Sequence, residues 1–166
     1  SKLPYDTLRD FVPIALIASF PLLLCVKADA VARTLPELVA YSKANPAQAN
    51  YASSSAAFQL ATELFKLKTG APVEHIAYKS SGEMVTAVVG GEVLMALADA
   101  TPVAGHLKGG KVRALAVTSA KRMAEHPDVP TMAEAGLPDL EIRLWSGLFA
   151  PAATPGPARS VWRYRD

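Results

Sequence analysis

The chain has 166 residues, the length of about one domain, with 51% hydrophobic and 19% charged side chains, which sets it among packed globular chains and apart from disordered ones. Seventeen basic against 15 acidic residues give a net charge of +2. The basic residues form no stripe interleaved with aromatics, which excludes a nucleic-acid surface, and no run reaches the ~18 apolar residues of a membrane span.

The longest apolar stretch, from Phe11 to Val26, is interrupted by Pro13, Ser19 and Pro21. It predicts two short strands, Val12–Ala18 and Leu22–Val26, or one long strand kinked at Pro21. Its near-continuous Ile, Leu and Val content suits a sheet covered on both faces. Cys25, the only cysteine, lies in this run; an intrachain disulfide and a thiolate metal site are excluded, and a buried inert thiol is expected. The N-terminus lacks a basic region followed by an apolar one, so no leader is expected there.

Thr34-Leu35-Pro36-Glu37 has the spacing of a capping box and predicts a helix running to about Ala44, stopped by Asn45-Pro46. Asn50–Ser53 reads as a strand entering a serine-rich turn. A second helix, from about Ala56 to Lys68, carries Leu60, Leu64 and Leu67 on one face and stops at Gly70. Val73–Ala77 is a strand, and Ser80 or Ser81 caps a third helix through Val89, ended by Gly90-Gly91. Val93–Leu97 is a strand, Thr101–Leu107 a short helix, and Val112–Thr118 another strand. Beyond Lys121 six prolines punctuate a looser segment with one small helix near Thr131–Ala135, whose Thr131 and Glu134 repeat the capping-box spacing. Residues 154–166 carry neither period and read as a frayed end. Strand–helix alternation with short connections predicts an α/β fold with a mostly parallel sheet of about five strands flanked by helices.

In such sheets ligands bind beyond the carboxyl ends of the strands, where helix starts offer free N–H groups and positive dipole ends. Ser53, Ser54 and Ser55 open the second helix and offer three hydroxyls to a carboxylate; the bland alternative is one cap and two solvated turn residues. Tyr78-Lys79-Ser80-Ser81 offers a charge and further donors, or a surface lysine beside a capping serine. Asp99 follows a strand, suited either to a ligand ammonium or hydroxyl or to capping the next helix. The histidines, His75, His106 and His126, have no metal-ligand spacing. A Ser54–His75–Asp99 set has no motif behind it, and neither a nucleophile elbow nor a phosphate loop is present. No catalytic residue, metal or cofactor is expected.

Several stretches carry a family resemblance: LPYDTLRDF from Leu3, ANYASSSAAFQLATELF from Ala49, AYKS from Ala77, GGKVRALAVTSAKR from Gly109, PDVPTMAEAG from Pro127 and WSGLFAPAATP from Trp145. In this order they resemble the substrate-binding proteins of tripartite tricarboxylate transporters, the Bug family. The resemblance implies one lobe of a type II periplasmic-binding-protein-like fold, and a periplasmic role delivering a small carboxylate to membrane transporter subunits. It implies that the chain holds the second lobe: a hinge strand in residues 1–26, the ligand-binding lobe in 27–143, and a return hinge strand with a frayed tail in 144–166. It places ligand contacts on Ser53–Ala57, on Tyr78, Lys79 and Ser80, and near Asp99. The family's glycines are absent from the serine loop, Gln59 stands where a histidine is usual, and Ser80 and Ala87 replace a glycine and an acidic residue. The alternative is a truncated remnant that folds and self-associates through exposed hinge segments without binding ligand. No nucleic-acid partner is expected.

Overall fold

The computed structural model describes residues 3–156. Its elements run β1 (Phe11–Lys27), α1 (Leu35–Ala44), a short 3-10 turn, β2 (Asn50–Ser53), α2 (Ala56–Thr69), β3 (Glu74–Ala77), α3 (Ser81–Gly90), β4 (Met95–Asp99), α4 (Ala100–Lys108), β5 (Val112–Val117) and β6 (Arg143–Pro151). They form two compact units: residues 21–143, and residues 3–20 with 144–156.

The sheet order is β3-β2-β4-β1-β5, with β6 paired to β1. β2 runs parallel to β3 and to β4, while β1 is antiparallel to both β4 and β5. The sheet is therefore mixed and has six strands among the described residues: the expected parallel run covers β2 to β5, and β1 lies against it. The alternation holds from β2 to β5, which all point one way. β1 reaches its place without a preceding crossover helix, so nothing obliges it to run parallel.

β1 is one continuous strand. Pro21 immediately precedes Leu22, the first residue registered with β4, so the N–H that proline lacks is not called on within that ladder. Leu22 to Val26 are all buried, and alternate residues serve opposite faces. Leu23, Cys25, Ala52, Ala96 and Ala98 pack against Met84, Val85 and Val88 of α3 and Val103 of α4. A register shift between Leu24 and Cys25 sets two backbone steps of β5 opposite one of β1, so Val112, Ala114 and Val117 join that same cluster. Tyr51 faces the other side, where its hydroxyl donates to Glu63 of α2 at 2.7 Å. Burial pushes the Cys25 thiol up to about 12.

The first helix forms as its box predicts: Thr34 Oγ1 accepts from the Glu37 N–H at 3.3 Å, and Glu37 accepts from the Arg33 N–H at 2.7 Å. α2 also forms over the expected span, but with a different inner face. Phe58, Ala61, Thr62 and Phe65 are buried, whereas Leu60 is 72% and Leu67 80% exposed. The buried stripe tolerates Thr62 because its hydroxyl donates to the Phe58 carbonyl at 3.0 Å. The small helix at Thr131–Ala135 is absent and a turn stands there. Its capping box is nonetheless closed, Glu134 accepting from the Thr131 N–H at 2.8 Å and the Thr131 hydroxyl accepting from the Glu134 N–H at 3.1 Å. β4 begins two residues later than Val93. The expected frayed end falls largely on residues 157–166, outside the described residues.

Gly91 ends α3 at φ 76°, a left-handed conformation in which a Cβ is strained. Gly91→Ala is expected to destabilise the fold by about 1 kcal/mol and lower the melting temperature by a few degrees, read by calorimetry. An unchanged melt would show that the turn relaxes at no cost.

In the smaller unit, Tyr5 and Phe11 meet edge to face at 5.4 Å, and the Ala152 N–H donates to the Asp10 carbonyl at 2.9 Å. A Cβ on Gly147 would lie 3.1 Å from the Ala15 carbonyl oxygen, so β6 approaches β1 closely there and a side chain would require its neighbours to give by a few tenths of an ångström.

Candidate ligand site

Three parallel strands, β3, β2 and β4, stand side by side, and each hands over directly to a helix. The starts of α2, α3 and α4 therefore lie at one end of the sheet. α2 lies on the Tyr51 face and α3 and α4 on the other, so the chain departs in opposite directions from the neighbouring ends of β2 and β4. This is the crevice in which open α/β sheets hold ligands, with positive dipole ends and unpaired N–H groups around it.

Ser53, the last residue of β2, is buried, and its Oγ lies 2.7 Å from His75 Nε2 on β3. His75 is in turn 5.2 Å from the Tyr51 ring. The Ser53 carbonyl accepts from the Tyr78 N–H at 2.8 Å, tying the two strand ends together. Ser54, half-buried, has its Oγ 3.3 Å from Ser81 Oγ. Ser55 is the cap residue of α2, but its hydroxyl makes no capping bond and it is exposed.

On the β3–α3 side, Ser80 is the cap: its hydroxyl accepts from the Glu83 N–H at 3.2 Å, while Glu83 accepts from the Lys79 N–H at 3.2 Å. The Lys79 side chain is exposed beside this cap. The Tyr78 hydroxyl donates to Glu92, beyond the far end of α3, at 3.5 Å, and the ring packs on the α3 core cluster. Asp99 precedes α4 yet makes no side-chain cap bond. Its Oδ1 is buried without a hydrogen-bond partner among the described residues. Burial, the largest influence, pushes the carboxyl above the ordinary aspartate range.

The structure thus brings together Ser54, Ser55, Lys79 and Asp99 around three helix starts. It commits the side chains of Ser53, Tyr78 and Ser80 to His75, Glu92 and the α3 cap. The sequence reading named Ser80 or Ser81 as a donor without deciding between them; the structure makes Ser80 the cap and sets Ser81 beside Ser54. The signal was present in Ser80-Ser81: one hydroxyl caps the helix, which leaves the other for its neighbours. His75 as the partner of Ser53 required the β2–β3 register, which aligns Tyr51 with His75.

The model of the TctC family, the tripartite tricarboxylate transporter family receptor, matches residues 1–159. The chain belongs to this family. Among curated receptors of this kind, it is 37% identical over 155 residues to protein BugT of Bordetella pertussis, covering 92% of this chain and 48% of that protein. Of solved structures, the R. palustris Rpa4515 protein with adipate superposes with a TM-score of 0.89 at 32% identity, over 97% of this chain and 55% of that one. MatC from Rhodopseudomonas palustris with bound malate gives a TM-score of 0.87 at 29% identity, over 96% and 55%. The chain spans about half the length of the receptors it matches. Within the described residues, no group of three or more His, Cys, Asp or Glu side chains is placed to hold a metal ion.

Proposed function

We propose that this chain is a lobe of a periplasmic solute receptor that binds a small carboxylate without catalysis and presents it to the membrane subunits of a tripartite transporter. The observation that carries the reading is the convergence of the α2, α3 and α4 starts, with Ser54, Ser55, Lys79 and Asp99 around them, in a receptor whose relatives were solved with adipate and malate. The carboxylate is met by backbone N–H groups at the helix starts, by the Ser54 and Ser55 hydroxyls and by the Lys79 ammonium. Ser53, Tyr78 and Ser80 act one step back, holding the strand ends and the α3 start in place.

The test is an amide-shift titration of the chain with malate and adipate. Shifts confined to Ser54–Ala57, Lys79–Gly82 and Asp99–Thr101, with millimolar affinity for a lobe that supplies half the contacts, are expected; millimolar corresponds to about 4 kcal/mol. Ser54→Ala is expected to weaken binding about tenfold through loss of a hydrogen bond to a charged ligand. Shifts spread over the other end of the sheet, or none, would sink the reading.

A second reading, self-association, is favoured by the exposure of Leu16, Ile17, Trp145 and Phe149 in the smaller unit. Light scattering of a clean 17.5 kDa monomer at micromolar concentration removes it.

A further inference from the structure

The chain passes between the two compact units twice, at Phe20–Pro21 within β1 and at Arg143–Leu144 at the start of β6. Both passages leave the larger unit beside one residue, Thr118, which follows β5 and is fully buried.

Thr118 makes two reciprocal pairs of hydrogen bonds. Its N–H donates to the Leu22 carbonyl at 2.9 Å, and its hydroxyl accepts from the Leu22 N–H at 2.8 Å. Its carbonyl accepts from the Ile142 N–H at 3.1 Å, and its hydroxyl donates to the Ile142 carbonyl at 2.6 Å. The backbone N–H, the backbone carbonyl and both capacities of one hydroxyl thus engage the two departing strands. Thr118 is anchored in its turn. The Val117 N–H donates to the Pro130 carbonyl at 2.8 Å, and the Met132 N–H donates to the Val117 carbonyl at 2.9 Å.

Support for β1 changes at the same step. Its register with β4 begins at Leu22 and its register with β5 at Leu23, and both continue to Val26. Before Leu22 neither strand is in register with it, and Pro21 has no N–H to give. A strand laddered on both sides bends only by disturbing many hydrogen bonds together, whereas the part that has left those ladders bends without that resistance. Leu22 also stands opposite Asp99, the last residue of β4, so this step lies at the end of the sheet where α2, α3 and α4 start.

We infer that Thr118 is a positioning residue that pins both connecting strands at one point, so that bending between the two units begins beyond Leu22 and Ile142 and the two passages bend together. A hydroxyl is required there, because it accepts from one strand and donates to the other through a single atom. Without it, Leu22 and Ile142 are each held to residue 118 by one backbone bond instead of two.

The test is amide relaxation dispersion, which reads motion on the μs–ms timescale of hinge bending. In the parent, exchange is expected at Phe20 and Leu144 with one shared rate constant, and flat profiles at Leu22, Thr118 and Ile142. In Thr118→Val the exchange is expected to spread to Leu22 and Ile142; Thr118→Ser, which keeps the hydroxyl, should restore the parent's pattern. Phe65→Ala, which truncates a buried side chain elsewhere in the larger unit, controls for lost stability. A valine variant with the parent's pattern, or exchange spread evenly over the larger unit in both Thr118→Val and Phe65→Ala, overturns the inference. So does a parent in which Leu22 and Ile142 exchange as Phe20 and Leu144 do, in which the two passages have different rate constants, or in which neither passage exchanges. These last outcomes are read on the parent and decide the matter even where the valine variant does not fold.

Discussion

Phe65→Ala is expected to lower the free energy of unfolding by about 3–5 kcal/mol, whereas Leu67→Ala, two residues along the same helix, should change it by no more than about 0.5 kcal/mol. Phe65 is fully buried on the sheet-facing side of α2, while Leu67 stands in solvent. Truncating the first leaves a cavity as well as losing its transfer free energy; truncating the second removes little from water contact. Urea unfolding decides it, through a midpoint that shifts with unchanged slope. Equal losses at the two positions would place α2 the other way round on the sheet.

The same helix shows where sequence reading reaches its limit. Its start, its length and its glycine stop were legible, because each depends on local chemistry: the run of serines with extended backbone before the first turn, the helix-forming residues that follow and Gly70 in a left-handed conformation. Its facing was not. Counting leucines selects Leu60, Leu64 and Leu67, but the sheet receives two phenylalanines, an alanine and a threonine whose hydroxyl is satisfied by its own helix. Which of two apolar stripes is buried depends on the partner surface, and that surface is assembled from strands distant in sequence.

The direction of β1 escaped for a related reason, since an apolar run reads alike in either direction. The loops of the proposed site were legible because they follow strands and carry serines, a lysine and an aspartate. Their division of labour was not, since it depends on which hydroxyl meets which neighbour across β2, β3 and β4.

Thr118→Val should cost about 2–4 kcal/mol, although it is nearly isosteric. The buried Thr118 hydroxyl accepts from the Leu22 N–H at 2.8 Å and donates to the Ile142 carbonyl at 2.6 Å. It thereby ties the end of β5 both to the start of the core segment of β1 and to the chain leading into β6. Valine leaves both backbone groups without this partner in poorly hydrated surroundings. Thr118→Ser keeps the hydroxyl and is expected to recover most of the loss. Chemical denaturation of the two variants is the check, and a valine variant as stable as the parent would show that water replaces the hydroxyl freely.

Cys25 sits between β4 and β5 with 2% of its surface exposed, and it is the chain's only sulfhydryl. Alkylating reagents need a thiolate at the surface, and here they meet neither the charge nor the access. Modification must wait until the middle of the sheet separates, so the labelling half-life becomes a clock for the rarest opening of the molecule. At low reagent concentration the rate follows the equilibrium fraction open, and at saturating reagent it follows the opening rate itself. The native chain thus carries its own single-site reporter of sheet rupture, with no engineered probe.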